Sequence, residues 1–343
     1  MVFQESRWFQ FFIEHKLSSR QAALLTEYAI NLECNSVPVI FEIEHLSKLL
    51  GIELSLVSRM TGVSNLFYRQ FPLKKRSGGI RTIESPYPKL AYVQRWIKNH
   101  ILEIKPISSN ALAYVQGSSH IENAKRHIGA KELLKIDLVD FFEYIKLSTV
   151  KSIFTECGYT EKVSHQLAKL CTLRDRLPQG APSSPVISNL VLVELDKRLQ
   201  SISKKHELVY TRYADDLCFS GHAISDEFFS LVKDEIESEG FVVNQNKSGV
   251  VRGHKRKLIT GLVVSEYGVR VPKKMRREYR KQAHYMLKNG IEQLNGNMGM
   301  LNPLHIDEVI GKGQYILSVE PGNAYVKDSL CMLLKLKNKL LIK

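Results

Sequence analysis

Leu208-Val209-Tyr210-Thr211-Arg212-Tyr213-Ala214-Asp215-Asp216-Leu217-Cys218-Phe219-Ser220 sets two adjacent carboxylates between two apolar runs. β-branched and aromatic residues on both sides predict two strands, Leu208 to Tyr213 and Leu217 to Ser220, joined by a tight turn. Neighbouring acids are usually a solvated surface turn. Here both flanks, Leu208 to Tyr210 and Leu217 to Phe219, are expected to be buried, which pushes the acids up at the tip of a rigid hairpin. Their mutual repulsion then calls for a cation, and hard carboxylate oxygens suit magnesium, which also accepts substrate phosphates.

Working outward, the hairpin needs a third carboxylate at a strand end, because two metals ~3.5 to 4 Å apart can clamp the attacking and leaving oxygens of an in-line phosphoryl displacement. Asp137 qualifies. It follows the apolar run Leu133 to Ile136 and precedes Leu138-Val139-Asp140-Phe141-Phe142, where the chain turns toward a helix. Between these boxes a helix is predicted from about Pro185 to Leu199, with Ile187, Val191 and Leu195 on one face.

Composition agrees with a polyanion as partner. The 343 residues carry 49 Lys or Arg against 35 Asp or Glu, a formal charge of +14, and are 44% hydrophobic, enough for a packed core. No apolar stretch reaches spanning length and no leader or lipidation signal is recognisable, so a soluble, cytoplasmic protein without a membrane partner is expected. Cys34, Cys157, Cys171, Cys218 and Cys331 are scattered and include no CxxC pair, which argues against a disulfide framework or a zinc site.

The order of elements is mixed α and β. Ser18 to Gln21 spells a capping box, followed by Leu24, Tyr28 and Leu32 at helical spacing until Val37-Pro38; a second helix, Glu44 to Leu50, stops at Gly51. Phe67 to Leu73, the turn Ser77-Gly78-Gly79 and Ile80 to Ile83 predict a hairpin. From Arg252 to Lys281 there are eleven Lys or Arg and two acids. Three regions are expected: a helical extension over 1–60, a mixed α/β region over 61–265 and a basic helical region over 266–343.

Taken together, the ADD box at Ala214 to Asp216, the acid-plus-aromatic box at Asp137 to Phe142 and LPQGAPSSP at 177 to 185 resemble a reverse transcriptase. A lone ADD is weak; three boxes in the family's order are specific. The resemblance implies an α+β right-hand polymerase, with fingers and a palm built on an antiparallel sheet over 61–265 and a helical thumb over 266–343. It implies an RNA-directed DNA polymerase holding two Mg2+ ions on Asp137, Asp215 and Asp216. Phe142 would lie under the sugar of the incoming deoxynucleotide triphosphate and exclude a 2′-hydroxyl. Gln179 and Gly180 would line the nucleotide pocket, Arg81 with Lys74 or Lys75 would neutralise the triphosphate, and Lys247 would stand beside the leaving pyrophosphate.

A narrower likeness follows. Asn123-Ala124-Lys125-Arg126-His127 matches the NAxxH box of retron reverse transcriptases, and Ile259-Thr260-Gly261 resembles their VTG box. This implies a cognate structured noncoding RNA, partly copied into a DNA that stays joined to it (msDNA) and primed from an RNA 2′-hydroxyl, with a separately encoded effector protein in antiphage defence. Asn123 and His127, four positions apart, are expected on one helical face against an RNA edge, with Thr260, Gly261 and the basic residues Arg276, Arg277 and Arg280 also on RNA. Two alternatives are a nucleic-acid-binding scaffold restraining a toxic partner and a group II intron-type polymerase.

Overall fold

The computed structural model describes residues 6–74, 78–253, 255–289 and 305–341. The chain packs as two compact units, each assembled from separated segments. The first comprises residues up to Tyr114, Asp137–Ile202 and Ser230–Asn244; the second comprises Val115–Ile136, Ser203–Phe229 and Gln245 onward. Among the described residues no helix is long and apolar enough to cross a membrane.

In the first unit, helix Ser19–Cys34 starts on the predicted capping box, with Ser18 Oγ accepting from the Gln21 amide. Its buried stripe is Ala22, Thr26, Ala29 and Leu32, whereas Leu24 is 60% exposed. Of the residues expected at helical spacing, Leu32 is buried and Tyr28 half-buried, and Leu24 is the one left outside. Gly51, at φ +63°, closes helix Ile43–Leu50 in the left-handed conformation that a glycine adopts without penalty. These N-terminal helices are fastened to the rest of the unit by Asn35 Nδ2 donating to Cys157 O (3.1 Å) and Tyr159 OH donating to Pro38 O (2.8 Å).

The predicted hairpin is present as β1 (Tyr68–Lys74) and β2 (Ile80–Pro86), antiparallel with Gln70 opposite Glu84. Ser77, in the expected turn, lies outside the described residues. The single helix expected over Pro185 to Leu199 is two, Ser184–Val191 and Val193–Lys205, interrupted at Leu192. Ile187 and Leu195 are buried, but Leu192 is also buried, so the apolar face changes direction at the break.

The second unit holds two sheets, except that Asp137, the last residue of the strand Glu132–Asp137, belongs to the first unit. One runs in the order β4–β5–β3–β6, from β3 (Glu132–Asp137), β4 (Val209–Tyr213), β5 (Asp216–Gly221) and β6 (Gly249–Val251). The other contains β7 (Lys257–Ile259), β8 (Leu262–Ser265) and β9 (Gly268–Arg270), all antiparallel. Helices Lys273–Asn289, His305–Val319 and Ala324–Leu341 share a core in which Tyr279, Ala283, Met286, Val309, Ile316 and Leu333 are wholly buried. Gly313 permits the closest approach in that core, because a Cβ there would stand 2.9 Å from the Tyr279 ring.

Candidate active site

The decisive hairpin forms as the sequence predicts. β4 and β5 pair from Val209 with Ser220 to Tyr213 with Asp216, leaving Ala214 and Asp215 as a two-residue turn. Ala214 has φ +58°, an unfavourable conformation for a residue with a Cβ and one that persists only where the surroundings hold it. Part of that support is Arg212, wholly buried beneath the turn, whose Nη1 donates to Ala214 O at 3.4 Å. No sequence motif marks Arg212 as functional. Its one signal there is a cation inside an otherwise apolar strand, next to two acids.

Asp137 is the last residue of β3, the strand beside β5, and Asp216 is the first residue of β5. Asp137 is fixed by Asn244, whose backbone N–H donates to Asp137 O (2.8 Å) and whose Nδ2 donates to Oδ2 (3.2 Å). Asp215 and Asp216 are half-buried. Among the described residues no three His, Cys, Asp or Glu side chains stand close enough to form a ready coordination shell. By donor chemistry carboxylates suit a hard divalent cation; Asp137 and Asp216 stand at the ends of neighbouring strands, and Asp215 in the turn just ahead of Asp216.

After Asp137 the chain enters helix Phe141–Tyr144 through Asp140, at φ +41°. Phe141 is buried and packs on Phe241 with ring centroids 5.7 Å apart, which leaves Phe142 half-exposed. Gly180, at φ +128°, lies against the β2 strand: a Cβ there would come within 2.9 Å of Ile83 Cγ2 and 3.0 Å of Glu84 O. Gln179 O accepts from the Glu84 amide at 2.8 Å. The close approach expected of this glycine is thus made to protein backbone. Lys74 and Arg81 are exposed at the end of the β1–β2 hairpin where the chain passes from one strand to the other, and Lys75 lies outside the described residues. Lys247 is exposed just ahead of β6.

Asn123 and His127 depart from expectation. Helix His120–Lys125 ends before His127, and both side chains are buried, Asn123 at 0% and His127 at 1% exposure. His127 Nδ1 bonds Ser220 Oγ at 2.6 Å and Nε2 bonds Thr211 Oγ1 at 2.7 Å, so the ring spans both strands of the acid-bearing hairpin. Burial, reinforced by the nearby Arg126 charge, pushes its pKa down to about 4. An outward, RNA-facing His127 is therefore corrected to an inward one, because both ring nitrogens are used inside the fold. Asn123 has both amide atoms buried without a hydrogen-bond partner.

Thr260 and Gly261 form the two-residue turn between β7 and β8, with φ of +46° and +84°, the paired positive values of a type I′ hairpin. Thr260 Oγ1 donates to His120 O at 3.0 Å, which ties this turn to the helix carrying Asn123. On helix Lys273–Asn289, Arg277 is exposed, Arg280 sits 4.9 Å over the Tyr325 ring, and Arg276 is paired with Glu320 at 3.7 Å. Arg276 is thus partly engaged within the fold, a role that its place in a basic run did not reveal.

Residues 73–285 match the reverse transcriptase (RNA-dependent DNA polymerase) family. The retron Ec86 reverse transcriptase of Escherichia coli is 33% identical over 258 residues, covering 73% of this chain and 79% of that protein. The retron Mx162 reverse transcriptase of Myxococcus xanthus is 33% identical over 299 residues, covering 74% of this chain and 62% of that protein. Among solved structures, the telomerase of Candida albicans aligns with a TM-score of 0.43 at 12% identity, covering 79% of this chain and 61% of that one.

Proposed function

The chain belongs to the reverse transcriptase family, in its retron branch, and on that premise we propose that it copies part of a cognate structured noncoding RNA into DNA that remains joined to the RNA. Its activity is RNA-directed DNA synthesis. Priming would come from a 2′-hydroxyl of the RNA, and the complex, with a separately encoded effector, would serve antiphage defence. The observation that supports the retron-specific part is the Thr260–His120 hydrogen bond. It ties the Ile259–Gly261 box to the first residue of the helix that carries Asn123 of the other box, and Gly261 stays exposed at that turn.

In the proposed mechanism, Asp137, Asp215 and Asp216 are the residues that would hold divalent cations, which would supply Lewis-acid stabilisation of the phosphoryl transfer. Asn244 fixes Asp137, and Arg212 braces the turn at Ala214 that presents Asp215. Phe142 lies against the sugar of the incoming deoxynucleotide, Gln179 and Gly180 line its pocket, and Arg81 with Lys74 or Lys75 meets its triphosphate from the β1–β2 hairpin. Lys247 faces the charge that develops on the leaving pyrophosphate. The exposed basic residues of helix Lys273–Asn289 hold the RNA backbone.

The test is sequencing of the nucleic acid that co-purifies with the protein, before and after ribonuclease treatment. DNA joined to RNA through a branch is expected from the wild type and not from Asp215→Asn, which should still retain the RNA, since an amide removes the metal-anchoring charge but leaves the basic surface intact. RNA alone from the wild type, or the same DNA from Asp215→Asn, would reject the proposal.

A further inference from the structure

Glu84 is a buried carboxylate, 2% exposed, on a strand whose first three residues, Ile80 to Thr82, are exposed. Its Oε1 accepts from Gln70 Nε2 (2.9 Å), Arg174 Nη1 (3.3 Å) and Arg176 Nη2 (3.2 Å). Oε2 is buried with no hydrogen-bond partner, so the two guanidiniums carry the compensation for burying this charge. A hairpin that needed only to fold would place an apolar residue here. The carboxylate instead lies where three pieces of the nucleotide pocket meet.

The first piece is the β1–β2 hairpin: Gln70 is cross-strand from Glu84, and Arg81 lies on the same strand as Glu84. The second is the Leu177–Gly180 segment, held by the Glu84 amide donating to Gln179 O at 2.8 Å and by Gly180 pressed against the Glu84 backbone. The third is helix Phe141–Tyr144: Arg176 turns its other nitrogen to Glu143 Oε1 at 3.5 Å, one residue beyond Phe142. Backbone pairing reinforces this link, since the Leu177 amide donates to Ile145 O (3.0 Å) and the Leu147 amide to Asp175 O (2.9 Å).

We propose that Glu84, acting through Arg176, is a positioning residue for the incoming nucleotide, holding the triphosphate-facing hairpin, the Gln179–Gly180 turn and the Phe142 helix in one register. Glu84 touches neither substrate nor metal. Its effect falls on nucleotide binding and on sugar discrimination, because a reacting group held even slightly out of place forfeits much of the benefit of orientation. The inference rests on the reading of Phe142 and Gln179–Gly180 as the nucleotide pocket.

Glu84→Gln keeps the shape and can still accept from Gln70, but removes the charge that gathers Arg174 and Arg176. Primer extension with paired deoxy and ribo substrates should show the deoxynucleotide KM rising about tenfold, kcat staying within about threefold, and discrimination against ribonucleotides falling several-fold. Glu143→Gln, at a side chain 55% exposed and so not a threat to folding, should lower discrimination about threefold with little change in KM. A Glu84→Gln enzyme with unchanged KM and discrimination, or one that loses kcat and thermal stability alone, overturns the proposal. If Glu84→Gln does not fold, unchanged discrimination in Glu143→Gln overturns it. Phe142→Ala serves as the control: altered selectivity there beside unaltered selectivity in Glu84→Gln defeats the positioning role alone, whereas no change in Phe142→Ala defeats the pocket assignment beneath it.

Discussion

Acidification from pH 7 to pH 5 should destabilise the protein through His127, and the size of the effect follows from where the ring sits. The unfolded chain takes up a proton at this residue near 6.5, while burial holds the folded value at about 4. Between those values the unfolded state binds more protons, so stability falls as pH falls below 6.5 and the loss saturates below about 4. Each tenfold excess of protons over the unfolded midpoint costs roughly 1.4 kcal/mol, so the loss at pH 5 is about 2 kcal/mol. Protonation would also place a donor on both ring nitrogens, which face the Thr211 and Ser220 hydroxyls of the acid-bearing hairpin. The assay is urea denaturation of wild type and His127→Gln at pH 7 and pH 5. Gln costs some stability at both values by giving up one of two hydrogen bonds, but it does not titrate, so its drop between them should be shallower by about 2 kcal/mol. Parallel pH dependence in the two proteins would refute the reasoning.

Phe142→Ala should admit ribonucleotides, because the half-exposed ring is what would deny room to a 2′-hydroxyl; paired incorporation assays measure it. Gly180→Ala should raise the deoxynucleotide KM and cost about 1 to 3 kcal/mol in denaturant stability, since its Cβ would meet Ile83 and Glu84 in a conformation that disfavours side chains. Neutralising Arg277, Arg280 and Lys281 together should weaken RNA binding and flatten its salt dependence by about 0.7 to 0.9 log units per lost phosphate contact, measured by titration across ionic strength.

The elements legible in the sequence were those set by local chemistry. The hairpin around Asp215 and Asp216 showed through its β-branched and aromatic flanks, the capping box set the start of helix Ser19–Cys34, and Gly51 marked a helix end. What local pattern could not supply was the partner across space. Whether Leu24 or Ala22 faces inward is decided by what the helix packs against, and it is Ala22 that is buried. Asn123 and His127 form a polar motif that reads as a surface, yet His127 finds Thr211 and Ser220 far along the chain. Nothing in the sequence singles out Glu84, beside which only the fold brings Arg174 and Arg176. Catalytic residue types declare themselves in sequence; the groups that hold them in place belong to tertiary contacts.

The interleaving of the two units also bears on how the chain is made. Leu133 in β3 pairs with Val251 in β6, and on its other side β3 is flanked by β5, so the central strand leaves the ribosome well before either neighbour exists. At about 5 to 20 residues per second, the wait for β6 is on the order of ten seconds, during which an apolar strand presents two open edges. Pairings so distant in sequence also slow the folding that ends this exposure. The nascent polypeptide is therefore a natural client for chaperones through that interval, and a message truncated before residue 249 would yield a product with β3 permanently unpaired on its β6 side.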